Sequence, residues 1–315
     1  MPESFFVLSK DYLEIAIDEI IAISKMYDRF SKSKVISNLV IIQSKTNWNK
    51  IAKRASFVKT SGQILRKMSG LFLGEDNFEV LKNSKTFGCR IINLSSNQFN
   101  IPELESSMGD MISKFSHAKV QLENPDIIVY LIFTDEENFF GFSKRIKNED
   151  RPKKIKTHPH ELDWKLTRAM INLAGLKEGE TLCDPFCGTG TTLLEAESMG
   201  IHGIGLDFDK KMCEMTKENL ETNGYKSEVF NSNFQELTEI SGKFDGIVTD
   251  LPYGRASKAS EKPEKILKDF FSIMPKYKKI AIMYKKELDS NLKLKGLKKY
   301  KIYRHKSLTR TILIK

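Results

Sequence analysis

The stretch VTDLPYGR, from Val248 to Arg255, ends an apolar run with an acid, a proline and an aromatic residue. A turn after a buried strand needs the proline and the glycine, but it needs neither Asp250 nor Tyr253. A carboxylate and an aromatic ring at a strand end can hold a flat, amine-bearing ring, because one accepts its N–H protons and the other stacks on its face. We therefore take this stretch as a candidate catalytic loop.

A second stretch, TLCDPFCGTGTTLLEA, passes from a strand-like segment through a glycine-containing turn into a helix-like segment. Gly188 and Gly190 permit unusual φ angles and a close approach of the backbone to a ligand. The amides of residues 189–192 would lie at a helix N-terminus, which stabilises an anionic group. The pattern is not GxxxxGK[ST], and it is not GxGxxG because position 193 is leucine, so it argues against nucleoside triphosphate, nicotinamide and flavin ligands.

Two acids narrow the identity of the ligand. Asp184, at the end of the strand-like segment, would repel a phosphate and attract a cationic group. Asp207 lies about 20 residues further on, the spacing at which an acid binds the hydroxyl pair of a ribose. A ligand that is cationic in its middle and carries a ribose at one end is S-adenosylmethionine, and we predict this cofactor.

Strand-like and helix-like segments alternate through the second half of the chain and would place both stretches at one edge of a sheet. Such alternation predicts an α/β fold with a mostly parallel sheet and helices on both faces. Two further β-like runs, KKYKIYRH and TRTILIK, predict a terminal antiparallel hairpin. The other predicted elements are helices over 163–174, 191–199, 210–223 and 263–273 and strands at ETLCD, GIGLD, GIVTD and KIAIMY.

The first half of the chain has shorter, mixed elements, typical of an α+β region in two small lobes. Hydrophobic spacing predicts helices over 11–24, 47–54 and 101–115 and strands at FFVLS, LVIIQ, TFGCRIINL, 126–133 and 139–142. The charged run KRIKNEDRPKKIK contains proline and lacks hydrophobic periodicity, so it predicts a linker between the halves.

The composition restricts the class of protein. Hydrophobic residues make up 40% of the 315, and no apolar run is long enough for a membrane span. The N-terminus lacks the pattern of a secretory signal. Lys and Arg outnumber Asp and Glu by 51 to 41, which suits nucleic acid as well as a merely solvated surface. The four cysteines form no CxxC pair, which argues against a metal site and for free thiols in the cytoplasm.

The stretch VTDLPYGR resembles motif IV of the amino-methyltransferases, usually written [DNS]PP[YFW]. In that chemistry, the carboxylate of Asp250 and the carbonyl of Leu251, turned inward by Pro252, accept the two N–H protons of an exocyclic amine. Tyr253 would stack on the base, worth about 1–3 kcal/mol. Much of the rate gain comes from holding the amine in line with the sulfonium methyl. Leu251 replaces the commoner first proline and so loses one fixed φ angle.

With both motifs placed, nearly the whole chain resembles the archaeal-type THUMP-containing tRNA guanine-N2-methyltransferases, which modify the guanosine at tRNA position ten. DPFCGTGTTLLEA resembles motif I of that family, DLPYGR its motif IV, THPHELDWKLTRAMINLAG the segment before motif I, and HKSLTRTILI its terminal hairpin. The resemblance implies a ferredoxin-like lobe over 1–70, a THUMP RNA-binding domain over 71–145, a linker over 146–160 and a Rossmann-like class I methyltransferase domain over 161–315.

The resemblance also implies which residues hold the cofactor. His158 and Pro159 would line its site, and Asn233 stands at the place of the family's adenine-contacting acid. The predicted catalytic residues are Asp250, Leu251, Pro252 and Tyr253. The predicted cofactor-binding residues are His158, Asp184, Phe186, Cys187, Gly188, Thr189, Gly190, Thr191, Asp207 and Asn233.

The partner that the resemblance implies is tRNA, whose 3′ acceptor end THUMP modules bind. Arg90, in the THUMP-like strand, and Arg255, directly after the catalytic loop, are the predicted RNA contacts. Some members of the family require a small zinc-binding activator protein. We expect a cytoplasmic monomer or weak dimer with no membrane segment and no metal of its own.

Three other interpretations stay open on sequence alone. The methylated guanosine could lie at another tRNA position or in rRNA. An amino-methyltransferase acting on DNA adenine or cytosine would share both motifs, although such enzymes usually carry a target-recognition insertion instead of an RNA-type module. A non-catalytic tRNA-binding protein would keep the fold, but it would not need Asp184, Asp207 and Asp250 together.

Overall fold

The computed structural model describes residues 1–68, 81, 84–144, 151–159, 161–252, 263–275, 278–286, 297–305 and 308–315. The chain divides into two compact units. The first unit comprises the described residues of Met1–Leu13, Tyr27–Lys53 and Phe57–Glu149. The second comprises those of Glu14–Met26, Arg54–Ser56 and Asp150–Lys315, and so includes two short pieces from the N-terminal half.

The N-terminal half contains eight strands and three helices among the described residues. The strands are β1 (Glu3–Leu8), β2 (Lys32–Ile36), β3 (Leu39–Gln43), β4 (Val58–Met68), β5 (Thr86–Asn93), β6 (Lys119–Val120), β7 (Ile127–Phe133) and β8 (Asn138–Lys144). The helices are α1 (Leu13–Tyr27), α2 (Trp48–Arg54) and α3 (Ile101–Phe115).

The strands of the first unit form one sheet in the order β2-β3-β1-β4-β8-β7-β5-β6. Strands from both sides of residue 70 thus share a sheet, and the predicted division there into a ferredoxin-like lobe and a THUMP domain stays a prediction. The β4–β8 pairing depends on Gly62, since a Cβ at this position would lie 2.2 Å from the carbonyl oxygen of Phe142. Sequence patterns missed β4 because its residues VKTSGQILRKM mix this glycine with polar side chains.

The second unit is built on a seven-stranded sheet. Its elements after residue 150 are α4 (Trp164–Leu173), β9 (Thr181–Asp184), α5 (Thr191–Ser198), β10 (His202–Asp207), α6 (Lys210–Thr222), β11 (Glu228–Asn231), α7 (Leu237–Ile240), β12 (Gly246–Asp250), α8 (Pro263–Ile273), β13 (Lys279–Lys285), β14 (Lys298–His305) and β15 (Leu308–Ile314). The strand order is β11-β10-β9-β12-β13-β15-β14. The first five of these strands pair in parallel, and β15 pairs antiparallel with β13 and β14. The predicted mostly parallel sheet with a terminal antiparallel hairpin is confirmed.

The strand order reverses at β9. The chain continues from β9 to β10 on one side, and β12 later pairs on the other. Open parallel sheets bind ligands at such a switch point, beyond the carboxyl ends of the strands. Asp184 and Asp250 are the last residues of β9 and β12, so both predicted motifs lie at this edge.

A buried polar network joins the N-terminal pieces of the second unit to α4. Glu19 of α1 is fully buried and accepts hydrogen bonds from the amide and hydroxyl of Ser56 and from Asn172 Nδ2. Arg54 donates to Asn172 Oδ1 and to the carbonyl oxygen of Leu176. The buried charges therefore have hydrogen-bond partners, as a stable interior requires.

Candidate cofactor and catalytic site

Asp184 is a buried carboxylate hydrogen-bonded by neutral groups. Thr249 Oγ1 donates to its Oδ1 at 2.6 Å, and the Phe186 amide donates to the same oxygen at 3.1 Å. Burial raises the pKa of Asp184 to about 6, the nearby Asp207 carboxylate also raises it, and the hydrogen bonds act in the opposite direction. Because Thr249 precedes Asp250 directly, its hydroxyl ties the end of β9 to the catalytic loop.

The turn after β9 depends on two glycines. Gly188 and Gly190 have φ angles of 54° and 83°, in the left-handed region that disfavours other residues. A Cβ on Gly190 would also lie 2.7 Å from Thr216 Cγ2 on α6. The Gly190 amide donates to the Cys187 carbonyl oxygen at 2.8 Å, which closes the turn directly before α5 begins. The predicted cofactor loop therefore has the backbone conformation that its glycines indicated.

Asp207 connects the end of β10 to this loop. Its Oδ2 accepts from the Gly188 amide at 2.9 Å, and its Oδ1 accepts from the Asp209 amide at 2.9 Å. Burial raises the pKa of Asp207. The two predicted ligand-binding acids, Asp184 and Asp207, thus lie on either side of one glycine turn, as the sequence indicated.

The end of β11 lies beside Asp207. Asn231 Nδ2 donates to the carbonyl oxygens of Asp207 and Phe208, and the exposed Asn233 follows two positions later. Phe208 leaves 48% of its surface exposed at this edge, although it is a large apolar residue. Sequence analysis missed Phe208, and the available signal was an aromatic residue directly after the strand-end acid in LDFD.

The segment before motif I contacts the cofactor loop through a chain of polar contacts. The His158 amide donates to the Glu161 carboxylate, and Glu161 forms an ion pair with Lys154. Lys154 Nζ donates to Thr191 Oγ1 at 2.5 Å, at the first residue of α5. Burial lowers the pKa of Lys154, while Glu161 acts to raise it. His158 is therefore linked to the loop, but through Lys154, which sequence analysis did not single out.

Asn219 of α6 fixes the same segment. This buried amide accepts from the Ile155 and Lys156 amides at 3.0 and 2.8 Å and donates to the Lys156 and Thr189 carbonyl oxygens at 2.9 Å each. Residues 151–159, which fall in the span predicted as a linker, are thus held on the second unit. No periodic signal could have found Asn219, since it lies among polar helix residues.

The catalytic loop begins as β12 ends. Asp250 Oδ2 accepts a hydrogen bond from Arg310 Nη1 at 3.0 Å. Leu251 is buried, and its amide donates to the Met283 carbonyl oxygen at 2.9 Å, so the β12–β13 ladder extends one residue further. A proline has no N–H for this bond. The leucine that lacks a fixed φ angle thus gains a hydrogen bond, and the half-buried Pro252 follows it.

Tyr253 and Arg255 lie outside the described residues. Arg90, in the first unit, donates to the Cys89 and Leu122 carbonyl oxygens and leaves 42% of its side chain exposed. Its predicted RNA contact stays a prediction.

Other features of the described residues bear on the class of protein. The four cysteines, at 89, 183, 187 and 213, are free and buried, and burial raises the pKa of the Cys89 thiol to about 12. In the part of the chain that the structure describes, no three His, Cys, Asp or Glu side chains cluster as metal ligands would. No described helix combines the length and apolar character needed to cross a membrane.

Comparison with known proteins identifies the family to which this chain belongs. The RMKL-like methyltransferase domain family matches residues 151–311, and a DNA methylase family matches residues 2–218. The tRNA (guanine(10)-N2)-dimethyltransferase of Methanocaldococcus jannaschii is 29% identical over 98% of this chain and 97% of its own. The enzyme of the same name from Methanothermobacter thermautotrophicus is 32% identical over 85% of this chain and 83% of its own.

A solved structure gives a fold likeness over the full chain. The crystal structure of TrmN from Thermus thermophilus aligns with a TM-score of 0.60 at 17% identity and covers 100% of both chains. At this identity the likeness is one of fold. The match to the RMKL-like methyltransferase domain family over residues 151–311 places the seven-stranded sheet in a methyltransferase fold.

Proposed function

We infer the function from the premise that this chain belongs to the RMKL-like methyltransferase family and to the family of the tRNA (guanine(10)-N2)-dimethyltransferases. It transfers a methyl group from S-adenosylmethionine to the N2 amine of a guanosine in tRNA, at position ten. The observation that carries this function is the 2.6 Å hydrogen bond from Thr249 to Asp184. This hydrogen bond joins the end of β9, which carries Asp184, to the strand that ends in Asp250. The methyl donor and the acceptor amine can therefore meet at one edge of the sheet.

The described residues suit S-adenosylmethionine. The Asp184 carboxylate is buried at a cost that raises its pKa, and a ligand ammonium group would supply the missing positive charge. Asp207 would accept from the ribose hydroxyls, while the exposed Phe208 and Asn233 flank a place for adenine. The amides at the start of α5 would bind the ligand carboxylate. When bound, this cofactor supplies an electrophilic sulfonium methyl.

The catalytic loop would hold the guanosine amine. The N2 lone pair is delocalised into the base, and acceptors on both N–H protons favour the tetrahedral geometry that attack requires. Asp250 would be one acceptor and the Leu251 carbonyl oxygen the other. The bound cofactor would supply the methyl group for the new N2–CH3 bond, and its sulfur would keep the electron pair of the S–CH3 bond. The nitrogen then loses a proton to the Asp250 carboxylate, which needs little basicity for this step because the methylated ammonium is acidic.

Further residue roles, the RNA-binding region and the partners are part of the same proposal. The roles of Tyr253 in stacking on the base and of Arg255 in binding a phosphate rest on sequence alone. We also propose that the first unit binds RNA as a ferredoxin-like lobe followed by a THUMP domain. The net charge of +10 and the half-exposed Arg90 support an RNA partner. A cytoplasmic location, a monomer or weak dimer, and a small zinc-binding activator complete this proposal.

The product of the reaction tests the function. We would incubate the protein with unmodified tRNA transcripts and methyl-deuterated S-adenosylmethionine, digest the RNA to nucleosides, and measure their masses. We expect deuterated N2-methylguanosine or N2,N2-dimethylguanosine, and a transcript with adenosine at position ten should carry no label. Label on another base, or on a guanosine elsewhere while position ten stays unmodified, would contradict the assignment.

A second candidate function is methylation of a DNA amine, which the match to a DNA methylase family favours. The same acceptor pair, Asp250 and Leu251, could hold the amine of adenine or cytosine. Parallel digests of DNA treated with the labelled donor distinguish the two candidates. We expect label in tRNA alone. Equal or greater incorporation into DNA would favour the second candidate.

A further inference from the structure

Arg310 reaches Asp250 across an intervening strand. Asp250 lies opposite Met283 in the β12–β13 pairing, and Met283 lies opposite Ile312 in the β13–β15 pairing. Residues directly opposite share a face of the sheet, as do residues two apart on one strand, so Arg310 lies on the face of Asp250. Two strand spacings amount to about 10 Å, and the long arginine side chain spans them.

The contact is a buried, charge-assisted hydrogen bond. Arg310 Nη1 donates to Asp250 Oδ2 at 3.0 Å and lies 3.4 Å from Met283 Sδ. The side chains of Arg310 and Asp250 are only 7% and 19% exposed. Such bonds are short, directional and stronger than those between neutral groups. Removing either partner alone would take this ion pair away from the other buried charge.

The strand that carries Arg310 is itself held firmly. Arg310 lies opposite Lys285 of β13 on one side and opposite Ile302 of β14 on the other, so β15 is hydrogen-bonded along both edges. The β14 strand is in turn fixed to α1, where Asp18 accepts a hydrogen bond from the Tyr300 hydroxyl at 2.8 Å. The guanidinium therefore starts from a fixed backbone.

We propose that Arg310 is a positioning residue for methyl transfer, acting through Asp250. This proposal rests on the function inferred above. With Oδ2 held by Arg310, the plane of the Asp250 carboxylate is set before the RNA arrives, and so is the direction in which Oδ1 faces. Preorganised acceptors contribute strongly to transfer reactions, and a displacement of 1 Å can cost about 100-fold in rate. Arginine stays protonated at any pH at which proteins work, so the carboxylate keeps its partner throughout the reaction.

The test compares four variants with the wild type: R310M, R310K, D250N and D250N/R310M. We would measure kcat and KM for tRNA, the Kd of S-adenosylmethionine by calorimetry, and Tm. We expect R310M to lower kcat about 100-fold while the cofactor Kd changes by less than about threefold. R310K should recover at least about tenfold of that loss, because an ammonium group can still hold one carboxylate oxygen. Since Arg310 acts through Asp250, D250N/R310M should be about as slow as D250N alone.

A matched control separates positioning from general stability. Arg168 of α4 is a partly buried arginine paired with Glu195 of α5. R168M should lower Tm, because it removes one of the two arginines, Arg168 and Arg151, that pair with the buried Glu195, yet it should leave kcat within about threefold.

Several results would overturn the proposal. They are an unchanged kcat in R310M, an equal loss of kcat in R168M, or a further loss of about 100-fold when R310M is added to D250N. The last result would mean that Arg310 acts on the RNA directly. If R310M does not fold, the comparison of D250N with D250N/R310M and of R310K with the wild type decides the question. A wild-type protein that labels no tRNA guanosine would instead refute the function on which the proposal rests.

Discussion

Two carboxylates end neighbouring strands of the same sheet, and their surroundings differ. Asp184 is almost fully buried, receives hydrogen bonds from the hydroxyls of Thr249 and Thr192 and from a backbone amide, and has another carboxylate, Asp207, as the charged neighbour that acts on its pKa. Asp250 is more exposed and forms an ion pair with Arg310. None of the contacts named for Asp184 provides a positive charge, whereas the protein itself provides one for Asp250.

The difference indicates at which stage each acid acquires a positively charged partner. The raised pKa of Asp184 shows that burial disfavours its ionised form. A cationic ligand can relieve this cost when it binds, and this relief favours binding. In the proposed reaction, Asp250 needs a fixed direction instead of a ligand charge, because it would accept a hydrogen bond from a neutral amine. Under the proposed function, Asp184 is thus arranged for cofactor affinity and Asp250 for the geometry of the acceptor.

The largest expected effect follows from D250N. Replacing the carboxylate with an amide should lower kcat by about 1,000-fold, because one acceptor on the amine is weakened. The Kd of S-adenosylmethionine, measured by calorimetry, should stay within about threefold. Asparagine is preferred to alanine because it keeps a polar group beside the buried Arg310. If cofactor affinity fell as far as kcat, the separation between the two acids would be wrong.

The next effect concerns D184N. We expect the Kd of S-adenosylmethionine to weaken about 100-fold at pH 8, equivalent to about 2.7 kcal/mol, because the ligand ammonium loses a buried charged partner. The Tm of the ligand-free variant should rise at pH 8, where the wild type must bury a charge, and should rise less at pH 5. A fall in Tm at pH 8 with unchanged Kd would refute the role of Asp184.

A smaller effect is expected from pH alone. Because the folded pKa of Asp184 is about 6, against 3.8 without burial, its contribution to stability is complete below about pH 4 and is lost as the pH rises through 6. Cofactor binding has the opposite dependence, since it requires the ionised form. Below pH 6, the Kd should weaken by up to about tenfold per pH unit. Calorimetry from pH 5 to 8 checks this, and D184N should show a flat profile.

The smallest effect is expected from T249V, which removes the hydroxyl that donates to Asp184. The pKa of Asp184 should rise further, and the Kd of S-adenosylmethionine at pH 7 should weaken about three- to tenfold, the range expected for the loss of one typical hydrogen bond. T249S retains the hydroxyl and should bind like the wild type. A larger fall in kcat than in cofactor affinity would show that Thr249 serves the catalytic acid instead.

Sequence patterns predicted much of this fold because its central strands and amphipathic helices have clear periodicity. The predicted strand GIVTD and the predicted helices 101–115 and 263–273 have the observed bounds. The missed strands lie at edges or carry few buried residues. In β11, only Val229 is buried, so neither alternation nor a continuous apolar run marks it. The strand exists because its backbone pairs with β10.

The site was predictable where one local segment supplies both conformation and chemistry. The glycine turn after Asp184 is such a segment, since left-handed φ angles favour glycine and the strand end fixes the acid. Arg310 and Asn219 could not be found this way. Their contacts join residues far apart in sequence, at separations of 60 for Arg310 with Asp250 and 63 for Asn219 with Lys156. Only the strand order and the packing of α6 bring them to the site.

The network around Glu19 has a consequence for synthesis on the ribosome. Glu19 and Asn172 are 153 positions apart, so α1 is translated long before the amide that completes its hydrogen bonds. At about 5–20 residues per second, the nascent helix must wait about 8–30 seconds for that partner. The catalytic unit is therefore assembled after translation of the N-terminal unit, although its first helix is among the first segments to be made.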